Sequence, residues 1–314
     1  MDESQAAITV GELTKRFGDL IAVDHVVFTV TTGEIFCLVG PDGAGKTTTM
    51  RMLAGVMAPD SGSATVAGFD VVRDPEGVKN HISYMPQRFG LYEELTVDEN
   101  IRFYADLFGI SRREREPRAE QVLAAAGMSR FRDRLAGQLS GGMKQKLGLS
   151  CALIHTPRVL LLDEPTTGVD PVSRRDFWRI LYGLASTGVT VLTSTAYLDE
   201  AERCHRLALL HKGRILLCDT PAGLKATMPG AVIAVTAPSP TAAREALRDL
   251  PGVASVLVVG DGVHLAVDDA QQRVPAIEQR LRTAGVAFAE VTRVAPTIED
   301  LFVASITREQ EEQR

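Results

Sequence analysis

Hydrophobic and polar residues alternate from residue 6 to residue 34, the period of antiparallel strands that bury one face, with turn chemistry at Gly18-Asp19 and Thr32-Gly33. IFCLVG (35–40) replaces that alternation with a short continuous apolar run, which predicts a central parallel strand covered on both faces. From about 88 to 150 the period changes again: ENIRFYADLF and RAEQVLAAAG place apolar residues at helical spacing, and strand-like runs are few. Strand-like runs return at RVLLLDE (158–164), TVLTST (190–195) and RLALLHKGRIL (206–216), with helical stretches between the first two. This alternation predicts an α/β domain with a mainly parallel sheet, an antiparallel β part at its start and a helical insert.

The pattern shifts once more near Pro221 and Pro229-Gly230. Beyond 231 it reads strand (AVIAVTA), helix (TAAREALRDL), two strands about Gly260-Asp261-Gly262, helix (VPAIEQRLRTAG) and strand (VAFAEVTRV). That is the ferredoxin-like order. A last helix, TIEDLFVASI, precedes REQEEQR, which reads as a solvated, frayed end. The expected division is an α/β domain over 1–220, its insert at about 88–150, and a small α+β ferredoxin-like domain with a terminal helix over 221–314.

Composition narrows the function classes. The chain has 314 residues, 45% hydrophobic and 24% charged, which is ordinary for a globular protein with a real core. The net charge is -6, and no stretch concentrates Lys and Arg with interleaved aromatics, so nucleic acid is not the expected partner. Cys37, Cys151, Cys204 and Cys218 form no CxxC pair and no metal-type spacing with the six histidines, and read as small hydrophobes in a reducing compartment. MDESQAAITV lacks the regions of a signal peptide, and no apolar run approaches the ~20 residues that span a bilayer, so work at a membrane is expected to need another chain.

The chemistry starts at GPDGAGKT, Gly40 to Thr47, which fits G-x-x-x-x-G-K-[ST] between the strand IFCLVG and the helical TTMRMLAG. Glycines there let backbone N–H groups converge on phosphate oxygens at a helix N-terminus. Lys46 then suits the β- and γ-phosphates, and the Thr47 hydroxyl suits Mg²⁺. VLLLDE adds a metal-side carboxylate, Asp163, and a candidate general base, Glu164. LSGGMKQ (139–145) offers either an ordinary helix cap or a second anion-binding turn.

Taken together with Gln87 in SYMPQ, these motifs resemble an ATP-binding-cassette (ABC) transporter ATPase over about residues 7 to 220. The resemblance implies a P-loop NTPase core, with ATP and Mg²⁺ as ligands. Gly40, Pro41, Asp42, Gly43, Ala44, Gly45, Lys46, Thr47 and Thr48 would hold the phosphates, and Thr47, Gln87 and Asp163 would hold the metal. Lys46, Gln87 and Glu164 would serve catalysis. Ser140, Gly141 and Gly142 would close on the γ-phosphate of a second ATPase domain, with Asp170 in GVDP at the seam, where Val169 replaces the usual leucine. Phe17 in KRFG matches the ring that stacks on adenine, and can otherwise be a core residue. Asp42 stands where many relatives have asparagine, and its carboxylate is expected to turn away from phosphate.

In that family the surface after Gln87 receives a short helix of the membrane subunit. Phe89, Leu91, Tyr92 and Tyr104 are candidates for it, while Phe103 and Phe108 read better as core of the insert. Arg112 to Glu116 reads as a solvated helix face and Trp178 as packing. PTIEDLFVASI (296–306), VDPVSRRDFW and YLDEAERC are similar to the type-2 export, daunorubicin-resistance-like branch, which implies an exporter with separate permease subunits at the cytoplasmic face of the membrane.

One position departs from the family. The strand TVLTST usually ends in a histidine that contacts the γ-phosphate, and this chain has Ala196 between Thr195 and Tyr197. The variant resembles the first domain of relatives with two fused cassettes, and implies either a homodimer with two slow sites or, favoured, a heterodimer with a histidine-bearing partner. A slow, regulatory nucleotide-binding subunit is the alternative function. A soluble non-transport ABC protein ranks behind both, since such relatives carry two cassettes or long coiled-coil insertions.

Overall fold

The computed structural model describes residues 6–88 and 90–312, with side chains described as far as Thr307. Phe89 lies outside the described residues, as do MDESQ at the start and the last two residues of the tail. The chain forms two compact units, one ending at Cys218 and the other beginning at Asp219.

In the first unit β1 (Ala6–Phe17) and β2 (Leu20–Thr31) pair antiparallel across a turn at Gly18. β3 (Ile35–Val39), buried at every residue, leads through a glycine-rich loop into α1 (Lys46–Leu53). β4 (Ser61–Val66) and β5 (Phe69–Asp70) complete an antiparallel sheet of order β2-β1-β4-β5. Exposed Ser61, Gly62 and Ser63 hide β4 from a periodicity argument. α2 (Pro75–His81) runs directly into β6 (Ile82–Met85). The helical insert consists of α3 (Val97–Leu107), α4 (Arg112–Ala125) and α5 (Gly141–Leu153), which share a core that includes Ile101, Leu123 and Leu147.

β7 (Val159–Asp163), α6 (Pro171–Ser186), β8 (Thr190–Thr195), the one-turn α7 (Leu198–Ala201), β9 (Arg206–His211) and β10 (Arg214–Asp219) follow. The main sheet has the order β10-β9-β3-β8-β7-β6, and β6, β7, β8, β3 and β9 are parallel. The apolar run 206–216 is two strands, because Lys212 (φ 45°) and Gly213 (φ 82°) turn the chain inside it. One core cluster, with Val10 and Phe28 from the antiparallel sheet and Leu38, Leu161 and Leu192 from the parallel one, joins the two sheets.

Two expectations for the insert are overturned. Phe103 and Phe108 are 38% and 40% exposed. The buried stripe of α3 is Val97, Asn100, Ile101 and Ala105, so Phe103 falls off it and packs edge-on against Tyr92 instead. Phe108 follows α3 and stacks on His155 with ring centroids 3.7 Å apart. Trp178 is buried as expected, and Arg112, Arg113, Glu114 and Glu116 are exposed.

The second unit runs α8 (Pro221–Ala226), β11 (Ala231–Thr236), α9 (Pro240–Leu247), β12 (Val253–Val259), β13 (Gly262–Val267), α10 (Ala270–Thr283), β14 (Glu290–Val294) and α11 (Ile298–Glu312). Its antiparallel sheet has the ferredoxin-like order β12-β13-β11-β14, with Ile233 opposite Leu265 and Val235 opposite Val263. Those residues pack against Leu247, Ile277 and Leu281 of the helices. α11 starts on a reciprocal cap: the Thr297 N–H donates to Asp300 Oδ2 at 2.9 Å and the Asp300 N–H to Thr297 Oγ1 at 3.1 Å. Asp300 also lies 3.1 Å from His264 Nδ1 on β13, so the acid of PTIEDLF anchors the helix to the sheet. The residues read as a frayed end continue α11 to Glu312, where propagating an existing helix is easier than starting one.

Candidate functional site

The loop from Gly40 to Gly45 leaves the buried end of β3 and delivers its residues to the start of α1. Gly45 has φ 103°, and a Cβ there would stand 2.4 Å from the Ala22 carbonyl oxygen, so both backbone conformation and space demand glycine. Lys46 opens the helix and is 4% exposed. Its Nζ donates to the carbonyls of Gly40 (2.7 Å) and Pro41 (3.0 Å), and lies 3.0 Å from Glu164 Oε1. A buried ammonium without such partners would cost several kcal/mol.

Asp163 ends β7, 1% exposed, and three hydroxyls converge on it. Thr47 Oγ1 donates to Oδ1 at 3.2 Å, Ser194 Oγ to Oδ1 at 2.7 Å, and the Tyr84 hydroxyl to Oδ2 at 3.4 Å. Burial, and next the Asp163 charge, push the Tyr84 phenol up to about 12, which keeps it a neutral donor. The next residue, Glu164, has φ 49°, a conformation costing about 1–3 kcal/mol outside glycine and found where surrounding structure imposes it. Its Oε2 accepts from Gln87 Nε2 at 3.1 Å and Thr167 Oγ1 at 3.3 Å.

Phe17, Asp42, Lys46, Thr47, Gln87 and Glu164 are among the residues that line a cleft of about 490 Å³. Phe17 is 47% exposed at this cleft, which excludes the core alternative. Asp42 is solvent-exposed. Thr47 and Asp163 are hard oxygen donors side by side, a set that fits Mg²⁺ held by one carboxylate together with substrate phosphates.

Ser140, Gly141, Gly142 and Asp170 are not among the described lining residues of that cleft. Ser140 caps α5, its Oγ accepting from the Met143 N–H at 3.4 Å, and both Ser140 and Gly141 are exposed. Asp170 caps α6 by accepting from the N–H groups of Val172 (3.1 Å) and Ser173 (2.9 Å), and hydrogen bonds from Ser173 hold its carboxyl below the usual range. The two helix starts touch: a Cβ at Gly142 would stand 2.4 Å from Ser173 Cβ and Oγ. Gly142→Ala is therefore expected to lower stability by about 1–3 kcal/mol through overpacking, read as a lower midpoint in urea with unchanged slope.

Three features escaped the motif reading. Ser194 is one, and Tyr84 is another. The third is Glu200, 2% exposed, which accepts from Thr166 Oγ1 at 2.7 Å and Thr195 Oγ1 at 3.0 Å and so ties the loop after β7 to the end of β8. Hydroxyl residues inside the otherwise apolar TVLTST were the available signal, since a buried hydroxyl needs a partner.

The ABC transporter family model matches residues 23–167. Nod factor export ATP-binding protein I of Paraburkholderia xenovorans (strain LB400) is 36% identical over 310 residues, 98% of this chain and 99% of that protein. The chain belongs to the ABC transporter ATP-binding family. Daunorubicin resistance ATP-binding protein DrrA2 of Streptomyces coeruleorubidus is 34% identical over 302 residues, covering 95% of this chain and 94% of that protein. Probable multidrug ABC transporter ATP-binding protein YbhF of Escherichia coli (strain K12) is 44% identical over 306 residues, 96% of this chain and 52% of its own length, so the chain spans about half of that relative. Among solved structures, an ATP-binding subunit of an ABC transporter aligns with TM-score 0.63 and 31% identity, covering 70% of this chain and 92% of that one. A dimeric bacterial ABC transporter cassette aligns with TM-score 0.62 and 25% identity, covering 68% and 98%.

Proposed function

We propose that this chain is the ATP-binding and ATP-hydrolysing subunit of an exporter, working at the cytoplasmic face of the membrane through separate permease subunits. One observation carries the reading: Lys46, Thr47, Asp163 and Glu164 converge beside a phosphate-type loop, within the 3.0–3.2 Å contacts described. Phe17 offers adenine an exposed ring face, and the loop amides and Lys46 take the phosphates. Mg²⁺ held by Thr47 and Asp163, with Gln87 close to Glu164, would neutralise charge building on the γ-phosphate. Phosphate oxygens compete for Lys46, and release of its ion pair leaves the Glu164 carboxylate to accept a proton from the attacking water.

The exposed signature and seam residues, Ser140, Gly141 and Asp170, supply what the cleft lacks, so a complete site needs a second ATPase domain. Exposed Tyr92, Phe103, Leu107 and Phe108 give the insert an apolar surface suited to a short permease helix. Among the described residues no helix is long and apolar enough to cross a membrane. Export is the direction named for the Nod factor relative, and we extend it to this chain on that near full-length similarity.

Ala196 favours a second reading of the same site, a slow subunit paired with a histidine-bearing partner. Purified chain, with its permease in lipid vesicles, is expected to bind ATP and to turn it over faster when the permease is present. Failure to bind ATP, or substrate movement indifferent to ATP, would remove the proposal.

A further inference from the structure

We propose that Ser194 is a positioning residue for hydrolysis, holding the metal-side carboxylate and the backbone of the general base with one hydroxyl; this rests on the ATPase reading of the site. The register of β7 on β8 places Ser194 beside Asp163, and Ser194 is fully buried. A serine hydroxyl has one proton to give and lone pairs to receive. Here the proton goes to Asp163 Oδ1 at 2.7 Å, and the oxygen accepts the Glu164 N–H at 3.0 Å. Both bonds therefore end on hydrolytic residues.

The consequences are geometric. Asp163 Oδ1 is held between the hydroxyls of Ser194 and Thr47, which restrains the carboxylate that would ligate the metal. The Glu164 N–H is shared between Ser194 Oγ and the Ser194 carbonyl at 3.2 Å, which stabilises the left-handed φ of 49°. That backbone turn carries the Glu164 side chain back to within 3.0 Å of Lys46. With alanine at 196, strand β8 reaches the two carboxylates through residue 194 rather than through a side chain at its tip.

The experiment compares parent, Ser194→Ala and Ser194→Thr as full chains with permease in vesicles. Ser194→Ala is expected to keep the affinity for metal-free ATP within about twofold while kcat falls about tenfold, the size of a lost hydrogen bond to a charged group. Ser194→Thr, which keeps the hydroxyl, restores most of the rate. A second readout needs no turnover: at saturating ATP, Mn²⁺ followed by electron paramagnetic resonance binds several-fold more weakly to the alanine variant than to parent or threonine variant. A purely packing role is the outcome if alanine and threonine lose rate and thermal stability together with Mn²⁺ affinity unchanged, and it overturns the assignment. An alanine variant equal to a working parent in kcat and Mn²⁺ binding overturns it too and leaves the ATPase reading standing. A parent that binds no ATP sinks that reading and this one with it.

Discussion

Glu164→Gln is expected to lower kcat by about 10²- to 10⁴-fold while ATP binding persists, the magnitude of a lost general base. The amide keeps the size of the carboxylate, and its oxygen can still accept from Gln87 and Thr167, so the cleft should keep its shape. What disappears is the charge. In the parent that charge holds Lys46 at 3.0 Å and competes with the phosphates for it. With glutamine the competition ends, so ATP affinity is expected to hold or tighten. Chemistry stops after binding, and the ATP-bound pair of ATPase domains should accumulate. Size-exclusion chromatography with ATP should show a dimer of Glu164→Gln that the parent forms only transiently. An unchanged rate in this variant would rule out Glu164 as the base.

The phosphate loop and the β7 carboxylates are local patterns, and a local pattern with strand before and helix after is readable without coordinates. The contacts that orient them are not local. Ser194 and Asp163 lie 31 positions apart, Thr166 and Glu200 lie 34 apart, and only the pairing of β7 with β8 brings the first two together. The choice of face failed in α3 for a related reason: several aromatics at helical spacing do not say which stripe is buried, and the stripe went to Val97, Asn100, Ile101 and Ala105. β4 escaped because half of it is exposed and polar, and the 206–216 run concealed a turn because Lys212 accepts a conformation better suited to glycine. The aromatic at 17 was legible as a choice between stacking and core, and its exposure removes the core reading.

Ala196→His is expected to raise kcat by on the order of 10²-fold, the reverse of removing one preorganised polar group from a transition state. The turn that would carry the imidazole is already built. Thr195 Oγ1 accepts the Tyr197 N–H at 3.0 Å and donates to buried Glu200, and the Thr195 carbonyl accepts the N–H of Gly40, the first residue of the phosphate loop, at 3.2 Å. Arg174 covers the Tyr197 ring at 4.2 Å and donates to the Val169 carbonyl beside Asp170, which ties this turn to the seam loop. None of these bonds uses the side chain at 196, which is exposed, so histidine there should change stability by less than about 0.5 kcal/mol. His205 does not replace it: its Nδ1 accepts the Ile35 N–H at 3.0 Å, at the start of β3, about 13 Å of strand away from the loop that β3 feeds. The decisive measurement is steady-state ATPase activity of parent and Ala196→His with permease, each alone and mixed with a histidine-bearing cassette. A rise in kcat for the variant alone, matched by the parent only in the mixture, means that the parent completes its cycle on a partner's histidine. Equal rates throughout would show that the site has found another way to hold its water, and the case for a heterodimer would fall with that result.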